Sequence, residues 1–347
     1  MRKKILIGAL VAFTMILLLF TVYYFANIGA VNSKNNKEIV FEIKAGQSKV
    51  EIAKELEKKD LIKDDKVAII YMFFNNDLSL QAGTYSLNKT MSLSEILNKF
   101  NKGDIKIQSE KITLVPGKRL LEYIDVLCDK LTCTKEEFID KINDKEFLQK
   151  MIDKYWFLTS DVLNDKIYYG LEGYIMPDTY EFMSNSSVEE VITKLLDETD
   201  KKLSNYKASV NNSGYSVHKI LTMASIVELE ANTESDRKNV AQVIYKRLKE
   251  NMSLGMDVTT YYAEQKEMGS GLTVSELNKG NAYNTRNTNY LGLPVGPISN
   301  PSLMSIEAVL NPGKNNYLYF YADVKTGLVY FANTSDEFYK IIREVGW

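Results

Sequence analysis

One carboxylic acid inside an apolar helix is the first candidate for chemistry in this sequence. Glu228 lies in the run ILTMASIVELEA, residues 220–231, which is apolar on nearly every face and therefore predicts a buried helix. The residues three, four and seven positions before it are Ser225, Ala224 and Leu221. A carboxyl group among such small or apolar neighbours is poorly solvated, so its pKa rises and it stays protonated near neutral pH. It can then serve as a general acid.

A second acid and a second interpretation accompany Glu228. Glu230 lies two residues further on, about 200° around the helix, so the two carboxylates face different ways and cannot form a pair on one helix face. Glu228 could also be a structural residue, a buried carboxylate paired with a lysine or an arginine. The residues alone leave the general acid and the ion pair as alternatives.

Other familiar catalytic patterns are absent from the sequence. It contains no Gly-x-Ser-x-Gly turn, no His-Glu-x-x-His pair and neither of the glycine-rich nucleotide-binding motifs. The single histidine, His218, excludes a multi-histidine metal site, and we expect no metal and no other cofactor. His218 could pair with Cys128 or Cys133, but Cys128 lies in an apolar helical pattern that is typical of a buried structural thiol.

The two cysteines could instead be linked to each other. Cys128 and Cys133 are five residues apart, and in one unbroken helix their Cα atoms would be about 8 Å apart, too far for a disulfide. A bond requires the helix to end near Lys130. The sequence leaves both the free and the bonded pair open.

A long segment after residue 251 supplies a candidate substrate surface. Residues 252–300 show little periodicity, and a loop of that length inside a compact domain is usually functional. Amides can bond sugar hydroxyls in both directions, and tyrosine faces pack on sugar rings. The residues of these types are Asn281, Tyr283, Asn284, Asn287, Asn289, Tyr290 and Asn300. Asparagine also favours turns, so the segment alone does not distinguish a sugar site from an ordinary loop.

The remaining sequence indicates what positions these residues. With 347 residues, of which 45% are hydrophobic, the chain can form two domains with attachments. Its 43 basic and 45 acidic residues give a net charge of −2 and no basic field for nucleic acid. Two cysteines are too few for a disulfide-dense scaffold. We expect an α+β fold.

The N-terminus predicts a membrane anchor. Basic residues at positions 2–4 precede an apolar run over residues 5–26, long enough as a helix to span about 33 Å. The aromatic residues 23–25 lie where the outer headgroups begin, and the basic cluster should stay cytoplasmic. A cleaved signal peptide is the alternative, but its apolar region is usually shorter. We therefore interpret residues 1–31 as the cytoplasmic cluster with a single-pass transmembrane anchor and 32–37 as a linker.

A small αβ unit is predicted at residues 38–108. Its predicted elements are a strand at 39–43, helices at 50–59 and 67–74, a strand at 81–87 and a helix that Ser92 caps. Residues 109–347 form a larger, mostly helical domain with a C-terminal β-hairpin. Its predicted elements are a strand at 112–115, helices at 120–131, 135–142, 147–155, 188–203, 217–231, 237–249 and 302–310, hairpin strands at 317–321 and 328–331 around a turn at 325–327, and a helix at 335–344.

Several stretches together resemble the YceG-like endolytic murein transglycosylases. The block LEGYIMPDTYEF, residues 171–182, resembles the family's LEGYLFPDTYEF, and ASIVE, residues 224–228, resembles its catalytic block. Further family stretches follow in order at 236–237, 243–248, 282–285 and 292–301. Gly255 and Val258 stand where many relatives have glutamine and proline, so any substrate role of that glutamine has no counterpart here.

The resemblance implies a mechanism and a place of action. Glu228 would protonate the oxygen between N-acetylmuramic acid and N-acetylglucosamine in a peptidoglycan strand, then accept the proton of the muramic C6 hydroxyl as that oxygen attacks C1. The product is a 1,6-anhydro end, and no second catalytic carboxylate is needed. Cleavage of nascent strands would end their elongation at the cell membrane, with the catalytic domain outside. The unit at 38–108 would be LysM-like, and wall-synthesis enzymes are possible partners.

The resemblance also implies residues that bind substrate around one cleft with the catalytic Glu228. These expected residues are Glu172, Tyr174, Asp178, Ser225, Asp257, Thr259, Tyr283, Asn284 and Thr285.

Two other classes of function remain as alternatives. A membrane-anchored scaffold would bind the cell wall without cleaving it. A hydrolase would need a second carboxylate near Glu228, for which Glu172, Asp178 and Asp257 are candidates. The mass of the products distinguishes all three, because hydrolysis adds a water, the lytic reaction does not, and a scaffold yields no product.

Overall fold

The structure is a computed structural model. It describes residues 2–44, 46–75, 77–105, 109–287, 289, 291–323 and 326–345. Tyr290 of the candidate sugar surface and Lys325 of the hairpin turn lie outside the described residues. The chain forms two compact units, Met1–Gln108 and Ser109–Trp347.

The first unit begins with α1, Arg2–Asn27, of which Leu10–Asn27 is long and apolar enough to cross a membrane. The hydroxyl groups of Thr14 and Thr21 donate to carbonyl groups three and four residues earlier, at 2.9 and 2.8 Å. The hydroxyl groups of both threonines are thus satisfied within the helix, as an apolar environment requires.

The rest of the first unit is a small αβ core. Its elements are β1 (Ile39–Ile43), α2 (Lys49–Lys58), α3 (Asp65–Phe74), β2 (Gly83–Leu87) and α4 (Leu93–Lys102). β1 and β2 pair antiparallel, from Ile39 with Leu87 to Ile43 with Gly83. Ser48 and Ser92 each cap the following helix in a capping box with a glutamate three residues on, which explains why α2 and α4 begin there.

The second unit is mostly helical and has two separate strand pairs. Its elements are β3 (Ser109–Leu114), α5 (Leu120–Lys130), α6 (Lys135–Asn143), α7 (Lys145–Lys154), β4 (Asp178–Met183), α8 (Val188–Leu203), α9 (Lys207–Ser213), α10 (Val217–Glu230), α11 (Glu234–Lys249), α12 (Asp257–Ala263), α13 (Val274–Asn278), α14 (Leu303–Leu310), β5 (Tyr319–Ala322), β6 (Val329–Ala332) and α15 (Ser335–Val345). The mixed α+β fold, the N-terminal apolar helix and the C-terminal strand pair β5–β6 are confirmed.

Some elements differ from the prediction. β4 was not predicted, and it pairs antiparallel with β3, from Ser109 with Met183 to Leu114 with Asp178. The helix α9 was also missed. The segment 252–300, predicted as irregular, contains the short helices α12 and α13. These elements depend on distant partners or are too short to show a periodic pattern.

The cysteine pair lies where α5 ends. α5 stops at Lys130, and the sulfur atoms of Cys128 and Cys133, both free thiols, are 2.7 Å apart. The break in the helix that a disulfide would require is therefore present.

The helix α10 is the centre of the second unit. Ser216 caps it through a bond to the Lys219 amide, and ten of its fourteen residues are buried. It packs against α11, α12 and α14. Because it is enclosed by three helices, its last turn carries its side chains to positions fixed by the whole core.

Candidate active site

Glu228 lies in the last turn of α10 and is held by several donors. Its Oε2 atom accepts hydrogen bonds from the amide of Ser302 at 2.9 Å, the hydroxyl of Ser302 at 2.5 Å and the hydroxyl of Ser305 at 2.7 Å. Its Oε1 atom lies 3.4 Å from Nη2 of Arg237 in α11. The side chain is 7% exposed.

These contacts correct the expectation that Glu228 lies among apolar neighbours only. Ser302 is the cap residue of α14, so the carboxylate occupies the N-terminus of that helix, where free amide groups and the helix dipole favour a negative charge. Arg237, 9% exposed, supplies the buried cation of the structural interpretation. The helix neighbours of Glu228 are indeed small or apolar, but its polar partners come from residues far along the chain.

Glu230, the last residue of α10, has very different surroundings. Its carboxyl group receives no hydrogen bond and forms no ion pair within the part of the chain that the structure describes. Burial and, to a smaller extent, the charge of Asp257 raise the pKa of Glu230 to about 7, although Arg286 and Arg247 oppose this rise. The C-terminal end of a helix also disfavours a carboxylate. Glu230 can therefore hold and release a proton near neutral pH.

Asp257 and Arg286 form an ion pair beside Glu230. Asp257 opens α12, and its Oδ1 atom lies 2.5 Å from Nε of Arg286. Their side chains are 47% and 41% exposed. Both side chains of this ion pair are thus accessible to solvent, and a ligand can contact them.

A second arginine near Glu230 is fixed by the backbone. Arg247 donates to the carbonyls of Leu318 at 2.7 Å and of Leu254 at 2.6 Å, and it lies over the ring of Tyr319. Nε and Nη1 of Arg247 are thus bonded to carbonyl oxygens, and no acid of the described residues forms an ion pair with it. It lowers the cost of ionising Glu230 without moving.

Three of the predicted substrate-binding residues hold the loop that carries Arg286. Thr259 is fully buried and shares a 2.8 Å hydrogen bond between its hydroxyl and that of Thr285. The side chain of Asn284 accepts from Thr260 at 2.8 Å and donates to three carbonyl groups at 2.9–3.1 Å. These side chains use their polar atoms within the protein, so they position the loop and are not free to bind a ligand.

Glu172 is a buried carboxyl group that joins three segments. It accepts from the amide of Leu120 at 2.9 and 3.1 Å, from the hydroxyl of Tyr262 at 3.1 Å and from Nδ2 of Asn300 at 3.3 Å. Burial raises the pKa of Glu172 to about 8, although the Leu120 and Tyr262 bonds oppose this. Asn300 in turn accepts from the amide of Gly173 at 3.0 Å. Glu172 therefore holds the start of α5 against the segments that carry Tyr262 and Asn300.

Three further predicted residues are also buried in the core. The Tyr174 hydroxyl bonds Nδ1 of His218 at 2.7 Å, and the His218 ring bonds the Val295 carbonyl at 2.8 Å, which gives the single histidine a structural setting. Tyr283 is 1% exposed and packs on Tyr168 and Tyr262. Ser225 is fully buried and accepts from the amide of Ile298 at 3.0 Å.

Asp178 has a different environment from the other predicted residues. It opens β4 and pairs with Lys202 at 2.5 Å, and this hydrogen bond lowers the pKa of Asp178. No bond joins it to the other predicted residues within the described ranges.

The structure thus brings most of the predicted segments together around α10. Most of the predicted residues in them hold the surrounding elements in place. The exposed polar residues near the end of that helix are Asp257 and Arg286, with Glu230 partly exposed. Glu230, Arg247 and Arg286 were not among the predicted site residues. One signal in the sequence could have identified Glu230. Helix geometry places it on a different face from Glu228, so a second acid at the end of a buried helix needed an explanation of its own. Among the described residues, no group of three histidine, cysteine or acidic side chains could hold a metal ion.

The chain is similar to several known proteins. The model of the YceG-like family matches residues 41–344. An endolytic murein transglycosylase of Bacillus subtilis (strain 168) is 36% identical over 308 residues, which is 88% of this chain and 84% of that protein. One from Streptococcus pneumoniae is 31% identical over 338 residues, with 93% of this chain and 61% of that protein covered. A YceG-like protein of Listeria monocytogenes has a similar crystal structure, with a TM-score of 0.63 at 38% identity over 88% of this chain and 99% of that one.

Proposed function

This chain belongs to the YceG-like family, and we infer from this membership that it is an endolytic murein transglycosylase. The enzyme cleaves the bond between N-acetylmuramic acid and N-acetylglucosamine within peptidoglycan strands. It leaves 1,6-anhydro ends, because the muramic C6 hydroxyl takes the place of the water that a hydrolase would use. Such cleavage of nascent strands stops their elongation.

The acid and base of this reaction is Glu230 in our proposal. The observation that carries it is a partly exposed carboxyl group at the end of a buried helix, with no donors from the described residues and with two arginines and Asp257 around it. A group with a pKa near the working pH is best suited to give a proton and later take one back. Glu230 protonates the leaving oxygen, and its carboxylate then accepts the C6 hydroxyl proton.

Glu228, which the sequence prediction names as the catalytic residue, has a structural role in our proposal. Three donors on its Oε2 atom and Arg237 at its Oε1 atom occupy its lone pairs. A carboxyl group whose oxygens are engaged in this way is not free to contact a substrate oxygen. It joins α10 to α11 and α14 and so fixes the helix that presents Glu230.

Asp257 and Arg286 contribute the electrostatic environment of the reaction. The oxocarbenium-like centre that forms at C1 is positive, and the Asp257 carboxylate can stabilise it. Arg286 orients Asp257 through their 2.5 Å contact. Asp257 is also the second carboxylate that a hydrolytic reaction would need, so the product must be identified and not assumed.

Digestion of purified glycan strands tests the function. The complete chain in detergent is incubated with uncrosslinked strands, and the products are measured by mass spectrometry. We expect fragments from within the strands that carry anhydro ends. Products heavier by one water would identify a hydrolase, and unchanged strands would favour the non-catalytic scaffold.

The placement of the enzyme is a further part of the proposal. Helix α1 serves as a single-pass anchor with a cytoplasmic N-terminus, which its apolar residues support. Residues 109–347 then act outside the membrane, and residues 38–108 form a LysM-like unit. Wall-synthesis enzymes are the partners that we expect there. Protease treatment of intact cells without an outer barrier should remove both units and leave only the anchor.

A further inference from the structure

Two adjacent aromatic side chains on the small unit have no partner in its core. Phe73 and Phe74, at the end of α3, are 68% and 77% exposed. Their rings contact each other edge to face, 5.7 Å apart. Eight of the ten residues of α3 are apolar, although only Val67, Ala68 and Met72 are buried. The helix is therefore more apolar than the packing of its own unit requires.

The same helix lies against the end of α1. Asp64 caps α3, and its carboxylate accepts a 2.5 Å hydrogen bond from the hydroxyl of Tyr23. Lys63 donates to the carbonyl of Ala26 at 2.9 Å. These contacts join the start of α3 to the last turn of the apolar helix.

A third contact extends this alignment along α3. Tyr24 is close enough to Tyr71 to interact with it electrostatically. Phe74 follows Tyr71 by three residues, which in a helix is about 4.5 Å. The headgroup region that interfacial side chains occupy is about 5–10 Å deep. If Tyr23 and Tyr24 lie at the level of the outer headgroups, the phenylalanines reach that level too.

A basic residue completes the face. Lys66 is exposed and lies on the same side of α3 as Phe73, seven residues later. A lysine beside exposed aromatic side chains is typical of helices that rest on anionic lipid. A second copy of the chain is the other partner to consider, and it would need a matching apolar surface. Neither the exposed Lys66 nor the contact of α3 with the apolar helix α1 favours that partner.

We propose that Phe73 and Phe74 insert into the outer leaflet, so that α3 rests on the membrane beside the anchor. This inference depends on the proposed anchoring by α1. It gives the small unit a second point of attachment, and the unit is thereby held in one orientation relative to the bilayer.

Quenching of tryptophan fluorescence by brominated lipid tests the proposal. The complete chain carrying Phe74→Trp is reconstituted into vesicles of phosphatidylcholine and phosphatidylglycerol, with or without bromine near the start of the acyl chains. The unsubstituted chain, with its native Trp156 and Trp347, gives the background. We expect the added emission to shift to the blue and to be lost in the brominated vesicles.

The other outcomes overturn the proposal in distinguishable ways. If the variant floats with the vesicles while the added emission is not quenched, the anchor stands and the phenylalanines do not insert. A blue shift without quenching would assign the face to a second copy of the chain. If the protein does not float with the vesicles, the anchor itself fails, and the inserted face fails with it.

Discussion

Replacement of Glu230 by glutamine separates the two acids of α10. Glutamine keeps the shape of the side chain but cannot give a proton and recover one. General acid and base steps contribute about 10²–10⁴-fold each, and one residue serves both here, so the rate should fall by at least ~10³-fold. The stability should hold or rise above pH 7, because the folded-state pKa of about 7 lies above the ordinary value of 4.5 and ionisation costs stability as the pH passes 7.

Glu228→Gln is the matched variant, and it should show the opposite pattern. Its carboxylate pairs with Arg237, whose side chain is 9% exposed and whose Nε atom already has no partner among the described residues. Removal of one member of a buried pair costs about 3–5 kcal/mol, and glutamine keeps some of the accepted bonds, so we expect about 3 kcal/mol. For a unit of this size, that lowers the melting temperature by about 6–12 °C. The folded fraction should still cleave glycan.

The assay pairs the two measurements on the same preparations. Thermal melts give the stability, and mass spectrometry of glycan digests well below the melting temperature gives the rate per folded molecule. Our assignment requires a large loss of rate with an unchanged or higher melting temperature for Glu230→Gln, and a lower melting temperature with retained cleavage for Glu228→Gln. If Glu230→Gln cleaves normally while well-folded Glu228→Gln is inactive, the reasoning from hydrogen-bond partners is refuted and Glu228 is the acid.

Two further predictions concern buried carboxyl groups of the second unit, and a third concerns the core of the small unit. Asp257→Asn removes a negative charge that raises the pKa of Glu230, so the decline of kcat/KM on the alkaline side should move to lower pH; an unchanged pH profile would contradict the electrostatic link. Burial raises the pKa of Glu172 from its ordinary value of 4.5 to about 8, so stability should fall as the pH rises from about 4.5 to about 8, and Glu172→Gln should abolish this fall in melts across that range. A chain that begins at Ile28 should be about 1–2 kcal/mol more stable to urea than one that begins at Asn32, because Ile28 packs on the small core and its carbonyl accepts a backbone bond; equal stability would make the segment a plain linker.

Local signals explain which elements could be predicted from the sequence. The capping boxes at Ser48 and Ser92 define the start of α2 and α4, and α8 was predicted at both ends from its helical pattern. β4 carries no such signal. Its strand state comes from pairing with β3, about seventy residues earlier, and pairing across that distance is not encoded in a local pattern.

The candidate site shows the same limit. Helix geometry correctly predicted that Glu228 and Glu230 face different ways, and the contacts agree. What each face meets could not be predicted, because Ser302 and Ser305 are more than seventy residues away and reach Glu228 only when α14 packs on α10. Asn284 was noted as a possible sugar ligand, but its amide donates to backbone carbonyl groups at the end of α13.

The long spacing of these contacts also governs when the enzyme can become active. Glu228 is held by Ser302 and Ser305, and Gly173 bonds Asn300, which lies 127 residues further along. Contacts between such distant residues form late in folding, because the intervening chain must first be ordered. Because the chain is synthesised from its N-terminus, the α10 sequence exists well before residue 305 is added. The surroundings of α10 therefore cannot be complete until most of the chain has been synthesised.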